Sequence, residues 1–206
     1  MILGLDISSS IVGWCVIDNT KILDYGSWDL RNKNKYDSLF KKGTKVQTEL
    51  KLILSKFPDL KFVFIEKSLQ SFRSGFSSAQ TLSTLSTFNG IVSWLCYELI
   101  GQEPNYLSAP SARKSIGIKI EKGQNAKEVV VEHLVKTEPS FSVALTKFGN
   151  YQPDTFDKAD ALVIAKAGEL WIKKHLKSYL PSLDLTPDQV ARFFFLALSA
   201  NIIKRN

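Results

Sequence analysis

The stretch ILGLDISSSIVGWCVI, Ile2 to Ile17, decides the fold. Ile2 to Ile7 is an apolar run of strand length with a single carboxylate, Asp6, inside it. Ser8-Ser9-Ser10 reads as a turn, whose hydroxyls either satisfy turn backbone groups or bond a nearby carboxylate cluster or phosphate. Val12 to Ile17 is β-branched and aromatic, the composition of a second strand. Asp18-Asn19-Thr20 makes the next turn, and Ile22 to Leu30 forms a third strand. Connections this tight join antiparallel neighbours. An ionised carboxylate within an apolar strand is costly unless it is paired or holds a metal, so Asp6 marks the place to look for chemistry.

Working outward, Leu39, Val46, Leu50, Ile53 and Leu54 recur near the helical period and predict a helix over Tyr36 to Phe57. Phe62 to Ile65 is a continuous apolar run, suited to a buried central strand beside the first, with Glu66 at its C-terminal end. A loop carrying Phe72, Arg73, Gly75 and Phe76 leads to a helix over Ala79 to Ile100, stopped by Gly101. Pro104 to Ser108 is a short fifth strand, followed by a short helix near Ser111 to Ser115 and a longer one over Ala126 to Val135. Pro153-Asp154 announces a helix from about Phe156 to Lys177, with a small-residue face of Ala159, Ala161, Leu162, Ile164 and Ala165. The resulting order, β-β-β-α-β-α-β-α-α, predicts an α/β domain: a mixed five-stranded sheet with helices on both faces, the order of the RNase H-like fold. The domain is expected over residues 1–178. A C-terminal helical extension over 179–206 follows, its helix starting at Thr186-Pro187-Asp188. Its run Phe193 to Leu196 is too apolar to stay free, so it packs on the domain or on a partner subunit.

The 206 residues suit one domain with a real core. No apolar run approaches the roughly 20 residues needed to span a bilayer, and the N-terminus has neither a basic n-region nor a cleavage site. A cytoplasmic location is expected, in a bacterium or a phage-infected host cell, without signal or transit peptide. Cys15 and Cys96 stand alone and His133 and His175 are the only histidines, so zinc clusters and a disulfide framework are excluded. Metal chemistry must use carboxylates. The formal net charge of +7 favours polyanionic partners, and Arg113, Lys114, Lys119, Lys122, Lys127 and Lys136 cluster in one stretch.

Four acids carry the functional reading. Asp6 lies in the first strand, Glu66 ends the fourth, and Asp157 and Asp160 are three apart near a helix start, hence on one face. With the first and fourth strands as neighbours, these acids converge. An oxygen-only donor set favours Mg²⁺ or Mn²⁺, and two such ions about 4 Å apart would clamp an in-line phosphoryl displacement. Taken singly, Asp157 and Asp160 are also what a helix dipole favours in a first turn; the four together make the argument.

These segments resemble the RuvC-type Holliday-junction resolvases. ILGLDISSSIVGWCVI is similar to that family's first hairpin with its catalytic aspartate, FVFIEKSL (Phe62 to Leu69) to the segment with the catalytic glutamate, SARKSIGIKIEKGQNAKEVVVEHL (Ser111 to Leu134) to its basic stretch, and DKADALVIA (Asp157 to Ala165) to its last acidic motif. The resemblance spans about Ile2 to Ala167. It implies that Asp6, Glu66, Asp157 and Asp160 are catalytic and ligate two Mg²⁺ per active site, with Mn²⁺ able to substitute. It also implies a homodimer that nicks opposing strands of a four-way DNA junction symmetrically, leaving 5′ phosphates. Ile7-Ser8-Ser9 replaces the family's glycine-containing turn, and the segment between Glu138 and Asp154 is longer than the family's, so the chain is a divergent member, with a bacterial and a phage-borne origin equally compatible.

For DNA contact the candidates are Arg113, Lys114, Lys119, Lys122 and Lys127 on phosphates, with Phe72 and Arg73 just past Glu66 at the junction centre, where an aromatic stacks on an unpaired base or instead anchors the loop. Trp94 and Trp171 fall on helical periodicities and are expected in the core or a dimer interface. Competing readings are a flap, branched-DNA or RNA nuclease of the same fold, an ATP-binding protein of the actin and sugar-kinase type, and a silent DNA-binding scaffold. The second needs two such domains and a second Asp-x-Gly loop; neither is present. The full set of acids argues against the third.

Overall fold

In a computed structural model, which describes residues 1–67, 79–179 and 189, the chain forms one mixed sheet in the order β3-β2-β1-β4-β5. The first three strands, β1 (Ile2–Ile7), β2 (Ile11–Asp18) and β3 (Lys21–Asp29), are an antiparallel meander. Asn19 and Thr20 take positive φ in the tight turn between β2 and β3. Ser8 closes the first turn: its hydroxyl donates to the Ile11 carbonyl at 2.8 Å and accepts from the Ile11 amide at 3.0 Å. β4 (Phe62–Glu66) lies parallel to β1, and β5 (Asn105–Leu107) parallel to β4. Parallel neighbours need long crossovers, here α1 (Leu39–Lys56) and α2 (Ala79–Ile100). α1 starts at Leu39 rather than Tyr36 because Ser38 caps it, its side chain accepting the Lys41 amide.

Alternation along the strands splits the core in two. Leu3, Leu5, Val12, Val16, Val63 and Ile65 pack with Val46 and Leu50 of α1 and Phe88 and Val92 of α2. Ile2, Cys15, Ile17, Phe62 and Phe64 face the opposite side. There they meet α3 (Ala109–Ser115), α4 (Ala126–Thr137) and α5 (Thr155–Tyr179). Helices thus cover both faces of the sheet, as the element order predicted. The predicted small-residue face of α5 is its packing face: Ala159, Ala161, Leu162, Ile164 and Ala165 are all buried.

Two glycines let α5 lie directly on the strands. A Cβ at Gly4 would come within 2.3 Å of the Ala161 carbonyl oxygen, and one at Gly13 within 2.0 Å of the Asp157 carbonyl oxygen. Glycine in a strand interior is the expected device where another backbone approaches this closely. Among the described residues no helix is long and apolar enough to cross a membrane. The predicted C-terminal helix after Thr186, its Phe193 to Leu196 run, and Phe72, Arg73 and Phe76 lie outside the described residues.

Candidate active site

Asp6 shares a face with Ile2 and Gly4, and Glu66 with Phe62 and Phe64, because side chains two apart along a strand point the same way. Leu5 pairs with Ile65, so Asp6 and Glu66 stand one step beyond that rung, side by side at the C-terminal ends of two parallel strands. Both point to the α5 side. Across the hairpin Asp6 pairs with Gly13, and Gly13 is the seat of the first turn of α5. The same geometry therefore aims the start of α5 at Asp6. Asp160, one turn in, completes a trio with Asp6 and Glu66: one carboxylate oxygen from each lies within 4.8 Å of the other two. Asp6 and Glu66 are half-buried and Asp160 is buried. Asp157 stands at the rim, outside this trio but close enough to raise the Asp6 pKa.

The electrostatics are those of a site short of positive charge. Burial, then repulsion by Glu66, Asp160 and Asp157, raises the Asp6 pKa well above the usual carboxylate range. Burial and then Asp160 push Glu66 up to about 7, against the opposing pull of Arg113 and Lys127. Burial also raises Asp157, partly offset by Lys127. An oxygen-only trio this close, with Asp6 and Glu66 held above their ordinary range, is a donor set that fits a hard divalent cation.

Two cations come to the site from the basic stretch. Arg113 on α3 turns inward: its Nη2 donates to Asp160 Oδ1 at 3.0 Å, and the two side chains are only 15% and 7% exposed. Lys127, in the first turn of α4, is exposed, yet its charge bears on Asp6, Glu66 and Asp157. Lys114, Lys119 and Lys122 are exposed on α3 and the α3–α4 connection. The start of α5 is further tied down by Asp154, which accepts from the Ser27 hydroxyl of β3 at 2.8 Å and pairs with Lys158 at 2.6 Å. Pattern reading missed Gly13 and Ser27 as parts of the site. A glycine opposite an acid within a strand was the available signal for the first; nothing in sequence spacing pointed to the second.

The pKa shifts give a pH dependence with a definite sign. Glu66 binds its proton more tightly folded than unfolded, so its contribution to metal-free stability is full below about pH 4.5 and lost as pH rises through about 7. At about 1.4 kcal/mol per unit, the loss is on the order of 3 kcal/mol. A divalent cation needs the carboxylates ionised, so its affinity rises over the same window and its binding releases protons. Melting in EDTA is expected to fall between about pH 5 and about pH 8, and protection by Mn²⁺ to grow. Equal Mn²⁺ protection at both ends would argue against a cation held by this trio.

An acidic trio at the ends of two parallel strands, closed by a helix on a mixed five-stranded sheet, places the chain in the RNase H-like class of folds. Within that class it has the RuvC fold. The T. thermophilus RuvC in complex with a Holliday junction substrate matches with a TM-score of 0.59 at 15% identity, covering 84% of this chain and 94% of that one. A second T. thermophilus RuvC structure gives 0.58 at 14% identity, covering 84% and 96%. The yeast mitochondrial Holliday junction resolvase Ydc2 gives 0.51 at 17%, covering 86% and 82%. No protein-family model and no curated protein sequence matches the chain.

Proposed function

We propose that the chain is a divalent-cation-dependent endonuclease that resolves four-way DNA junctions. The observation that carries this reading is the convergence of Asp6, Glu66 and Asp160 within 4.8 Å on a RuvC fold. These three would hold the cation, with Asp157 at the rim as the fourth acid. Two Mg²⁺ ions, or Mn²⁺ in their place, supply the Lewis acidity that activates water and neutralises the leaving 3′ oxygen when bound there. Arg113 orients the Asp160 carboxylate, and Lys127 brings positive charge to the mouth of the site. Lys114, Lys119 and Lys122 supply phosphate contacts along the approach, with Phe72 and Arg73 assigned to the junction centre from sequence.

The reading includes a homodimer that nicks both strands symmetrically and leaves 5′ phosphates. Its support lies on the opposite face of the sheet from the acids. There Phe40 of α1 and Trp94 of α2, 79% and 57% exposed, line a groove with Ile91 and Leu95. A second copy on that face would leave both acidic sites turned outward. Trp171, by contrast, packs edge-on against Phe64 at 5.8 Å and belongs to the core. Trp94→Glu is expected to convert a dimer to a monomer in sedimentation; a wild-type chain already monomeric at micromolar concentration removes this part of the reading.

The test is cleavage, with Mg²⁺, of a synthetic four-way junction, a flap and a linear duplex. Paired symmetric nicks in the junction alone are expected. Equal cutting of flap and junction would make the chain a broader branched-DNA nuclease, and cutting of RNA alone would move it to the RNA-processing relatives. In the same substrates, Lys122→Ala should lower the slope of log affinity against log salt by about one unit.

A further inference from the structure

Between α4 and α5 the chain makes a small hairpin, closed by a bridge between Leu145 and Tyr151. This is the segment that exceeds the length expected from the family resemblance. Its tip is bonded into shape. The Thr146 amide donates to the Asn150 carbonyl at 2.7 Å, the Gly149 amide to the Thr146 carbonyl at 2.9 Å, and the Gln152 amide to the Ala144 carbonyl at 3.1 Å. Thr146 Oγ1 accepts from the amides of Phe148 at 3.4 Å and Asn150 at 3.2 Å. Gly149 supplies the positive φ of the turn, +80°.

These bonds shape the tip, and Phe148 is 78% exposed on it, with the Lys147 ammonium 4.9 Å from its ring centre. A single exposed apolar side chain is ordinary on a protein surface. Phe148 differs in its setting, because a hydrogen-bonded turn fixes its backbone, a cation stands beside it, and the hairpin runs straight into the acidic end of α5. The connection is physical. Tyr151 packs edge-on against Phe156 at 5.9 Å, the Lys127 ammonium stands 5.8 Å from the Phe156 ring centre, and the Lys127 charge acts on Asp6, Glu66 and Asp157.

We propose that Phe148 is a stacking platform for an unpaired base of branched DNA, with Lys147 meeting an adjacent phosphate. The proposal rests on the nuclease reading above and adds a second base contact, separate from Phe72. Aromatic rings take any base on their π-face, and a flanking cation supplies the charge that the backbone requires. Loss of such a stack corresponds to roughly a 5- to 150-fold weaker complex.

The experiment uses the full chain carrying Asp6→Asn to prevent cutting. The probes are a four-way junction with 2-aminopurine at the branch point and a linear duplex of the same sequence. Phe148→Ala is expected to weaken junction binding at least 5-fold and reduce the fluorescence change on binding. Duplex affinity and the melting temperature should stay unchanged. Phe148→Trp should restore both the affinity and the fluorescence change. If the parent chain binds the junction and Phe148→Ala binds it equally well, or weakens junction and duplex alike, the stacking role is overturned and the nuclease reading stands. A parent chain with no preference for the junction overturns the nuclease reading itself, and this proposal with it.

Discussion

Asp6→Asn is expected to abolish cleavage while leaving the metal-free protein more stable than wild type. The two effects have one cause. Asp6 sits among Glu66, Asp157 and Asp160, and burial with their repulsion holds its pKa well above the ordinary range. Asparagine keeps the shape and removes one of the crowded acids, so the cation-free fold should be more stable near neutral pH, read as a higher melting temperature in EDTA. The same change removes a member of the trio. Loss of an outer partner of a metal ligand already costs 10- to 100-fold in metal affinity or activity, so loss of Asp6 itself should cost more than about 100-fold, and the stabilisation by Mn²⁺ should disappear. Junction binding in the absence of cleavage should persist, because the phosphate contacts proposed for Lys114, Lys119 and Lys122 lie outside the trio. Cutting at more than a tenth of the wild-type rate would mean that the trio does not hold the working metal.

Gly13→Ala makes the complementary case, a substitution with no charge and no direct contact with substrate. Its new methyl would meet backbone: 2.0 Å from the Asp157 carbonyl oxygen and 2.3 Å from its carbon. Neither side yields easily, since β2 is hydrogen-bonded on both edges and α5 is packed along its length. The start of α5 must lift, and Asp157 and Asp160 lift with it, away from Asp6. Overpacking of this kind costs about 1–3 kcal/mol, and a misplacement of about 1 Å can cost on the order of 100-fold in rate. The expected variant is folded, melts lower, binds Mn²⁺ poorly and cuts slowly. Wild-type melting together with wild-type cleavage would show that the close approach of α5 to β2 does not position the acids.

Much of this was readable from the sequence because the central strands are so one-sided in composition. The apolar runs at Ile2 to Ile7 and Phe62 to Ile65 announced buried neighbours, and two-residue alternation then put Asp6 and Glu66 on a common face. The small residues after Asp157 announced a helix in close contact. Other features depend on what lies across from a residue rather than beside it. Arg113 reads as one more base in a basic stretch, and only the packing of α3 against α5 turns it onto Asp160. Helical periodicity groups Trp94 with core positions, but only its packing shows that its ring faces solvent. The Leu145–Tyr151 hairpin has no apolar alternation to announce it, being held by turn hydrogen bonds and one threonine hydroxyl.

The order in which the chain supplies its acids has a consequence during synthesis. Asp6 and Glu66 are made early, on strands that can pair once β4 is complete, but Asp160 comes only with α5, the last of the described helices packed on the sheet. A ribosome-bound chain that has not yet released α5 carries two acids and no closed trio. On the nuclease function proposed above, cleavage would be withheld until α5 docks on Gly4 and Gly13.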